Sequence, residues 1–482
     1  MTPAQTILID QARAILGDKG VITDAQEIAP WTTDWRGRFH GATPAILAPD
    51  NTEQVAAIVR LAGAHKVALV PQGGNSSMVG GATPPADGSA LILSLRRMNR
   101  VRRIAPEEGL AVVEAGMILA HLHDAALERG MRFPLTLGGK GSATVGGLVS
   151  TNAGGTQVLR FGTMRALVAG IEAVLPDGEI HDGLAPLKKD NRGYDLTQLL
   201  VGAEGTLGVV TAAALRIVPA IVQRAVAWVG LADPAAALAL LRRLEAATDR
   251  IEGFEIIPAD SLHAVLAHIP ATRAPLAHEH PWHVLIEATI DQHDAEAPAQ
   301  LLERLLAPAL ADGAVRDAVI AASEAQAEAF WRIRESISES ERAMGPAAQH
   351  DVSVPVAAMP RFMVEAAAAC EARFPGTHAS GFGHLGDGNV HFHVRAPAGA
   401  DPARWYAEEA PGITRFVDDL VVALGGSISA EHGIGQMKLA ELERLSSPAR
   451  LAALRGVKAG LDPQGLFNPG KLVVLAQTPP SP

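Results

Sequence analysis

Hydrophobic and polar positions recur along this chain with two different periods. The first stretch, residues 1–13, carries its apolar residues at helical spacing with Asp10 set among them, which predicts an amphipathic helix. A second helix is expected after Asn51, a capping residue placed ahead of Val55, Ile58, Val59 and Leu61. Short, mainly apolar runs at 67–70, 91–93, 111–114 and 171–175 predict strands. Beyond Pro219 the texture changes to Ala- and Leu-rich helices, such as the one opened by Asp233, between strands such as 283–288. A helical stretch sets Arg334 and Ser338 four residues apart on one face. Further on, Asp387-Gly388 predicts a turn. Strict alternation after it puts Asn389, His391 and His393 on one face of a strand and Val390, Phe392 and Val394 on the other. The mixture defines an α+β protein.

At 482 residues the chain is too long for one ordinary core, and two or three domains are expected. A net charge of -11, with no long run of Lys or Arg, argues against a nucleic-acid partner. The single cysteine, Cys370, excludes an intramolecular disulfide and suits a reducing, cytoplasmic setting. The N-terminal stretch lacks the basic start of a signal peptide, and no apolar run reaches the ~18 residues of a membrane span.

Three glycine-rich regions follow short strands. The first is Pro71-Gln-Gly73-Gly74-Asn75-Ser76, continuing to Gly80 and Gly81. The second runs from Thr136-Leu137-Gly138 through Gly141, Ser142, Thr144 and Gly146 to Asn152. The third is Gly202-Ala-Glu204-Gly205-Thr-Leu-Gly208-Val209. Glycines admit positive φ and close approach to the backbone, so such loops point N–H groups at a phosphate. Neither the dinucleotide fingerprint nor the P-loop spacing is present. Three loops in series suggest a domain that envelops an extended, phosphate-bearing ligand.

The densest chemistry lies in Gly383-His384-Leu-Gly-Asp-Gly-Asn-Val-His391-Phe-His393. Two imidazoles and one carboxylate suit a divalent metal with an open position, and the candidate carboxylate is Glu431, in Glu431-His432-Gly-Ile-Gly435. The ligand types leave zinc, manganese and iron open, with zinc first.

These motifs, in this order, resemble the flavin-binding domain of FAD enzymes of the vanillyl-alcohol oxidase and para-cresol methylhydroxylase type. The remainder is similar to the C-terminal half of that superfamily's D-2-hydroxy-acid branch, represented by the D-2-hydroxyglutarate dehydrogenases. The resemblance implies an FAD-binding domain over 1–218, a substrate- and metal-binding domain over 219–450, and a C-terminal strap over 451–482 that returns to the flavin domain through Asn468. It implies that Gly73, Gly74, Asn75 and Ser76 hold the pyrophosphate, and that residues 136–152 and 205–209 wrap the isoalloxazine and adenine. The first loop has no His, so non-covalent FAD is expected.

Carried over residue by residue, His384, His391 and Glu431 become metal ligands and His432 the general base. Arg334 and Ser338 become a clamp for the substrate carboxylate. Glu431 and His432 are adjacent, so they can serve metal and substrate separately only if Gly433 and Gly435 bend the chain. The implied reaction is FAD- and metal-dependent oxidation of a D-2-hydroxy acid by hydride transfer to flavin N5. Electrons would pass on to an electron-transfer flavoprotein or a quinone, and a homodimer stays open. Two positions depart from the pattern: Gln349 stands where the dehydrogenases usually carry Lys, and His393 where they usually carry Asn. Both would touch substrate, so D-lactate, glycolate and D-malate join D-2-hydroxyglutarate as candidates, and His393 has a second reading in the metal shell. Two readings compete with the dehydrogenase. One is a metal-dependent hydrolase built on the same His and Glu residues, the other a flavin subunit with no chemistry of its own. An oxidase using dioxygen is a variant of the first.

Overall fold

The first helix, Pro3–Leu16, starts where Thr2 and Gln5 cap each other: the Thr2 side chain accepts the Gln5 N–H and the Gln5 side chain accepts the Thr2 N–H. Its inner residues Leu8, Ile9, Ala12 and Leu16 share a core with Val55, Ile58 and Val59 of the helix Thr52–His65, which Asn51 caps through the Gln54 N–H. Each fully buried Leu, Ile or Val contributes about 1.5–3 kcal/mol before the loss of chain entropy is counted. The computed structural model describes residues 1–291 and 296–475. The last seven residues of the expected strap, 476–482, lie outside the described residues.

The chain forms two compact units: 1–154, 162–219 and 431–482 make the first, and 155–161 with 220–430 make the second. The expected division at 450/451 differs from this one for a local reason. Backbone N–H groups of Ile434, Gly435 and Gln436 donate to Glu204 and to the Val79 carbonyl, which ties the segment after Ala430 into the first unit. Residues 155–161 go to the second unit because Arg160 pairs with Glu252 there at 2.6 Å.

The first unit has two principal sheets. One orders Val21–Ile22, Ile46–Leu47, Ala90–Ser94 and Ala68–Gln72, with the last three strands parallel. The other is antiparallel and orders Val101–Ala105, Leu110–Glu114, Val209–Arg216, Val168–Val174 and Ile180–Asp182. The first glycine loop leaves the carboxyl end of Ala68–Gln72, the end at which open parallel sheets bind ligands. The chain's return is fastened by Lys458, 5% exposed, whose Nζ donates to Asp462 at 2.5 Å and to the Thr206 and Phe467 carbonyls at 2.7 and 3.0 Å. Asp462 also accepts the Leu466 and Phe467 N–H groups.

The second unit is built on a seven-stranded antiparallel sheet: Asp317–Ile320, Gln223–Leu231, Trp282–Ile290, Ile251–Pro258, His378–His384, Asn389–Arg395 and Ala347–Ser353. Side chains alternate between two apolar clusters. Phe254, Ile256, Val390, Phe392 and Val394 pack against Pro234–Ala247, Met359–Arg373 and Ala410–Ala423 on one face. Trp228, Ile257, Leu285 and Phe382 pack against Ala259–His268 and Glu324–Glu335 on the other. Among the described residues no helix is long and apolar enough to cross a membrane.

Removing one partner of a buried ion pair strands the other charge, so Asp462→Ala is expected to destabilise the protein by about 3–5 kcal/mol. Denaturant unfolding checks this, with Asp462→Asn, which keeps a hydrogen-bond acceptor, losing less.

Candidate active site

In the second unit the turn at Gly388, with φ +81°, closes the hairpin between His378–His384 and Asn389–Arg395. Register then sets the chemistry in rows. His384 faces Asn389, Phe382 faces His391, which faces Asp351 on the next strand, and Ser380 faces His393, which faces Gln349. The His384 and His391 rings lie edge to face with centroids 5.7 Å apart. On the neighbouring strand Glu255 is in register with His384, and its Oε1 meets His384 Nδ1 at 2.6 Å. The other carboxylate oxygen takes Arg334, through Nε and Nη2 at 2.8 Å each. Glu255 is 1% exposed. Burial pushes its carboxyl up, but His384 and Arg334 outweigh burial and hold it below the usual carboxylate range.

More acid surrounds the imidazoles. Asp351 accepts from Asn389 Nδ2 at 3.0 Å and lies 3.9 Å from His391 Nδ1. Asp387, in the turn, has its carboxyl pushed up by burial. Asn389 Oδ1 is buried with no donor among the described residues. Nδ1 of His384 is committed to Glu255. Imidazoles among carboxylates form a donor set that fits a divalent cation.

The Arg334–Ser338 clamp does not form. Helix Glu324–Glu335 ends at Ser336, and a second helix, Ile337–Ala343, follows it directly. Ser338 is exposed, whereas Ser340 and Glu341 point inward. Arg334 is buried, with its guanidinium carbon 5.0 Å from the Phe382 ring centre. His393 Nδ1 is paired with the buried Glu341, which also accepts from Ser261. Sequence reading missed Glu255 and Glu341. The available signal for Glu255 was an acid inside the apolar strand Ile251–Pro258.

In the first unit Gly433 and Gly435 take φ of +82° and +52°, so the chain does bend after Glu431 and His432. Glu204 holds that bend by accepting the Ile434 and Gly435 N–H groups at 2.7 Å each. Burial raises its carboxyl above the usual range against the pull of those two bonds.

The glycine loops carry their residues for reasons partly different from those expected. A Cβ on Gly73 would collide with Thr144 Oγ1, and one on Gly74 with the Ser142 carbonyl, so these glycines let the second loop lie on the first. Gly146 is likewise pressed on Ala115, at 2.7 Å for an added Cβ. Thr144 caps Val145–Thr151. Gly138, Gly141 and Ser142 are exposed, Thr136 and Leu137 half-buried. Gly205 turns with φ +67°, Gly80 with the same angle, and Gly208 is buried.

Three residues expected at the cofactor have other partners. Asn152 ends its helix at φ 49° and gives Oδ1 to the Arg165 N–H. Both oxygens of Glu204 are taken as described. The Val209 side chain lies in the apolar core, which leaves only its backbone for a ligand.

The chain matches the family described as FAD linked oxidases, C-terminal domain, over residues 222–472, and the FAD binding domain family over 43–183. It is 36% identical over 472 residues to a D-2-hydroxyglutarate dehydrogenase of Xanthomonas citri pv. viticola, covering 98% of this chain and 97% of the relative. It is 35% identical over 464 residues to the mitochondrial D-2-hydroxyglutarate dehydrogenase of Arabidopsis thaliana, covering 96% of this chain and 80% of the relative. Its fold is that of p-cresol methylhydroxylase, with a TM-score of 0.75 at 16% identity over 98% of both chains. The chain belongs to the family of FAD-linked oxidases and is an FAD-dependent oxidoreductase.

The first unit fits FAD on its own evidence. No backbone N–H from Gly73 through Ser77 donates a hydrogen bond within the protein among the described residues. Five such groups in series suit a diphosphate. Asn75 (φ 53°) turns the loop and is held through Nδ2 to the Thr33 carbonyl at 2.9 Å. Asn468 fastens the C-terminal segment by donating to the Gly81 and Glu204 carbonyls, while its Oδ1 is buried without a donor.

An alanine at Gly433 would bring its Cβ to 2.9 Å from Glu204 Oε1 in a left-handed conformation. Gly433→Ala is therefore expected to cost about 1–3 kcal/mol in denaturant unfolding. Gly456→Ala, in an open helical position of Pro448–Leu461, is the control and is expected to be neutral or stabilising.

Proposed function

We propose that the protein oxidises a D-2-hydroxy acid to the 2-oxo acid with FAD and a divalent metal ion, zinc before manganese or iron. D-2-hydroxyglutarate is the first substrate to test, since the relatives carry that name. The observation that carries the metal-dependent part is the buried Glu255 carboxylate on His384 Nδ1. A carboxylate in that place fixes the ring and its tautomer, the arrangement found behind metal-ligating histidines.

His384, His391 and Glu431 would hold the ion. FAD, when bound, supplies the two-electron acceptor, and the ion supplies positive charge that acidifies a hydroxyl, as zinc lowers the pKa of bound water from ~15.7 to about 7. Arg334 receives the substrate carboxylate: Glu255 uses its Nε and Nη2, and Nη1 donates to no protein group among the described residues. Phe382 packs against the guanidinium and keeps its plane fixed. His432 takes the hydroxyl proton at a ring nitrogen, its backbone set by the bend at Gly433. Gln349 and His393, one row deeper, meet the distal end of the substrate, where the Glu341–His393 pair adds no net charge if the imidazole is protonated. Electrons then pass to an electron-transfer flavoprotein or a quinone.

Anaerobic mixing tests this reading. D-2-hydroxyglutarate or another D-2-hydroxy acid is expected to bleach the oxidised flavin spectrum, the L-enantiomer is not, and chelation is expected to slow bleaching at least a hundredfold without releasing FAD. Bleaching indifferent to chelation would remove the metal from the reading, and a flavin that no hydroxy acid reduces would contradict the reading as a whole.

Loss of the carboxylate behind a ligating histidine weakens metal binding about 10–100-fold. Glu255→Gln is expected to show that loss in a zinc competition titration while retaining the wild-type FAD content.

A further inference from the structure

The segment after the last helix contains a lysine that the protein leaves unanswered. Lys471 is 2% exposed and ranks among the largest fully buried side chains. Its Nζ donates to no protein group among the described residues. Burial, with no opposing charge beside it, pushes its pKa down to about 8. Lys458, in the last helix of the same unit, shows how a buried ammonium is satisfied internally, with one carboxylate and two carbonyls within 3.0 Å. An ammonium left without such partners costs several kcal/mol.

The backbone around Lys471 is itself bent. Gly470 has φ +76° and Leu472 φ +56°, a conformation costly for a leucine, and the Leu472 N–H is fixed to the Gly435 carbonyl. Three residues earlier Asn468, also left-handed, keeps a buried acceptor without a donor while fastened to Gly81. Gly81 continues the loop whose Gly73–Ser77 N–H groups have no internal acceptor. An unmet cation, an unmet acceptor and a series of unmet donors thus belong to one unit, the unit that fits FAD.

We propose that Lys471 is the counter-charge for the anionic part of bound FAD. The cofactor carries negative charge in two places, permanently on the diphosphate and on the isoalloxazine once it is reduced. Either would answer the ammonium, and the two are separable by experiment.

The test uses the full chain with Lys471→Met, with Lys471→Gln as a second neutral variant and Lys471→Arg as the charge-retaining one. FAD and riboflavin are titrated into the apoproteins, and the two-electron midpoint potential is measured in the holoproteins. Both neutral variants are expected to lose at least tenfold in affinity for the FAD redox state whose charge Lys471 answers, both states for the diphosphate and the reduced state alone for the ring, with the arginine variant recovering most of the loss. If the diphosphate is the partner, riboflavin affinity and the potential stay at wild-type values. If the reduced ring is the partner, oxidised FAD and riboflavin bind as in the wild type and the potential falls, by about 30 mV for a tenfold selective loss of the reduced form. Because an uncompensated charge has been removed, the neutral apoproteins are expected to unfold at wild-type denaturant concentrations or higher. Wild-type FAD affinity and potential in the neutral variants overturn the proposal. Apoproteins less stable than wild type overturn it too, since they would mark Lys471 as a structural cation.

Discussion

A carboxylate placed in the middle of a buried antiparallel strand has to be answered by cations or not be ionised at all, and Glu255 is answered twice. One oxygen holds His384 across the strand pair, and the other holds Arg334 from the covering helix. This single group therefore orients an imidazole and a guanidinium together. Desolvation alone would favour the neutral acid; His384 and Arg334 together reverse that preference. The hairpin register then carries the effect outward, because His391, Asp351, His393 and Gln349 take their places relative to His384 from strand pairing.

The first unit uses a second buried glutamate in a different way. Among the described residues Glu204 has no cation bonded to it and is held by two backbone N–H groups, so its role is to fix a loop. That loop carries Glu431 and His432 at its start and needs a glycine where any side chain would press on the carboxylate. Geometry in both units thus rests on buried acids and not on the exposed charges that dominate the composition.

Periodicity made much of this legible. The alternation from Asn389 to Val394 states which residues enter the core, and Val390, Phe392 and Val394 are fully buried as that pattern requires. Asn51 announced its helix for the same local reason, a side chain able to satisfy an N–H. Arg334 is buried while Ser338, four residues on, is exposed; the helix is interrupted at Ser336, and no proline or glycine marks that break. Gly73 and Gly74 were recognisable as special, but their cause, contact with Thr144 and Ser142 some seventy residues onward, is tertiary. Glu255 and Glu341 were invisible as site residues because their partners, His384 and His393, lie far along the chain and meet them only through strand register and helix docking.

The claim that joins these observations is that Glu255 turns His384 to present Nε2 to a metal ion. Anomalous diffraction from crystals of the FAD-loaded protein grown with zinc tests it most directly. The account predicts a zinc peak bonded to Nε2 of His384 and to His391, with Glu255 still on Nδ1. A peak bonded to Nδ1, or no peak at these histidines under conditions in which the enzyme is active, would contradict it.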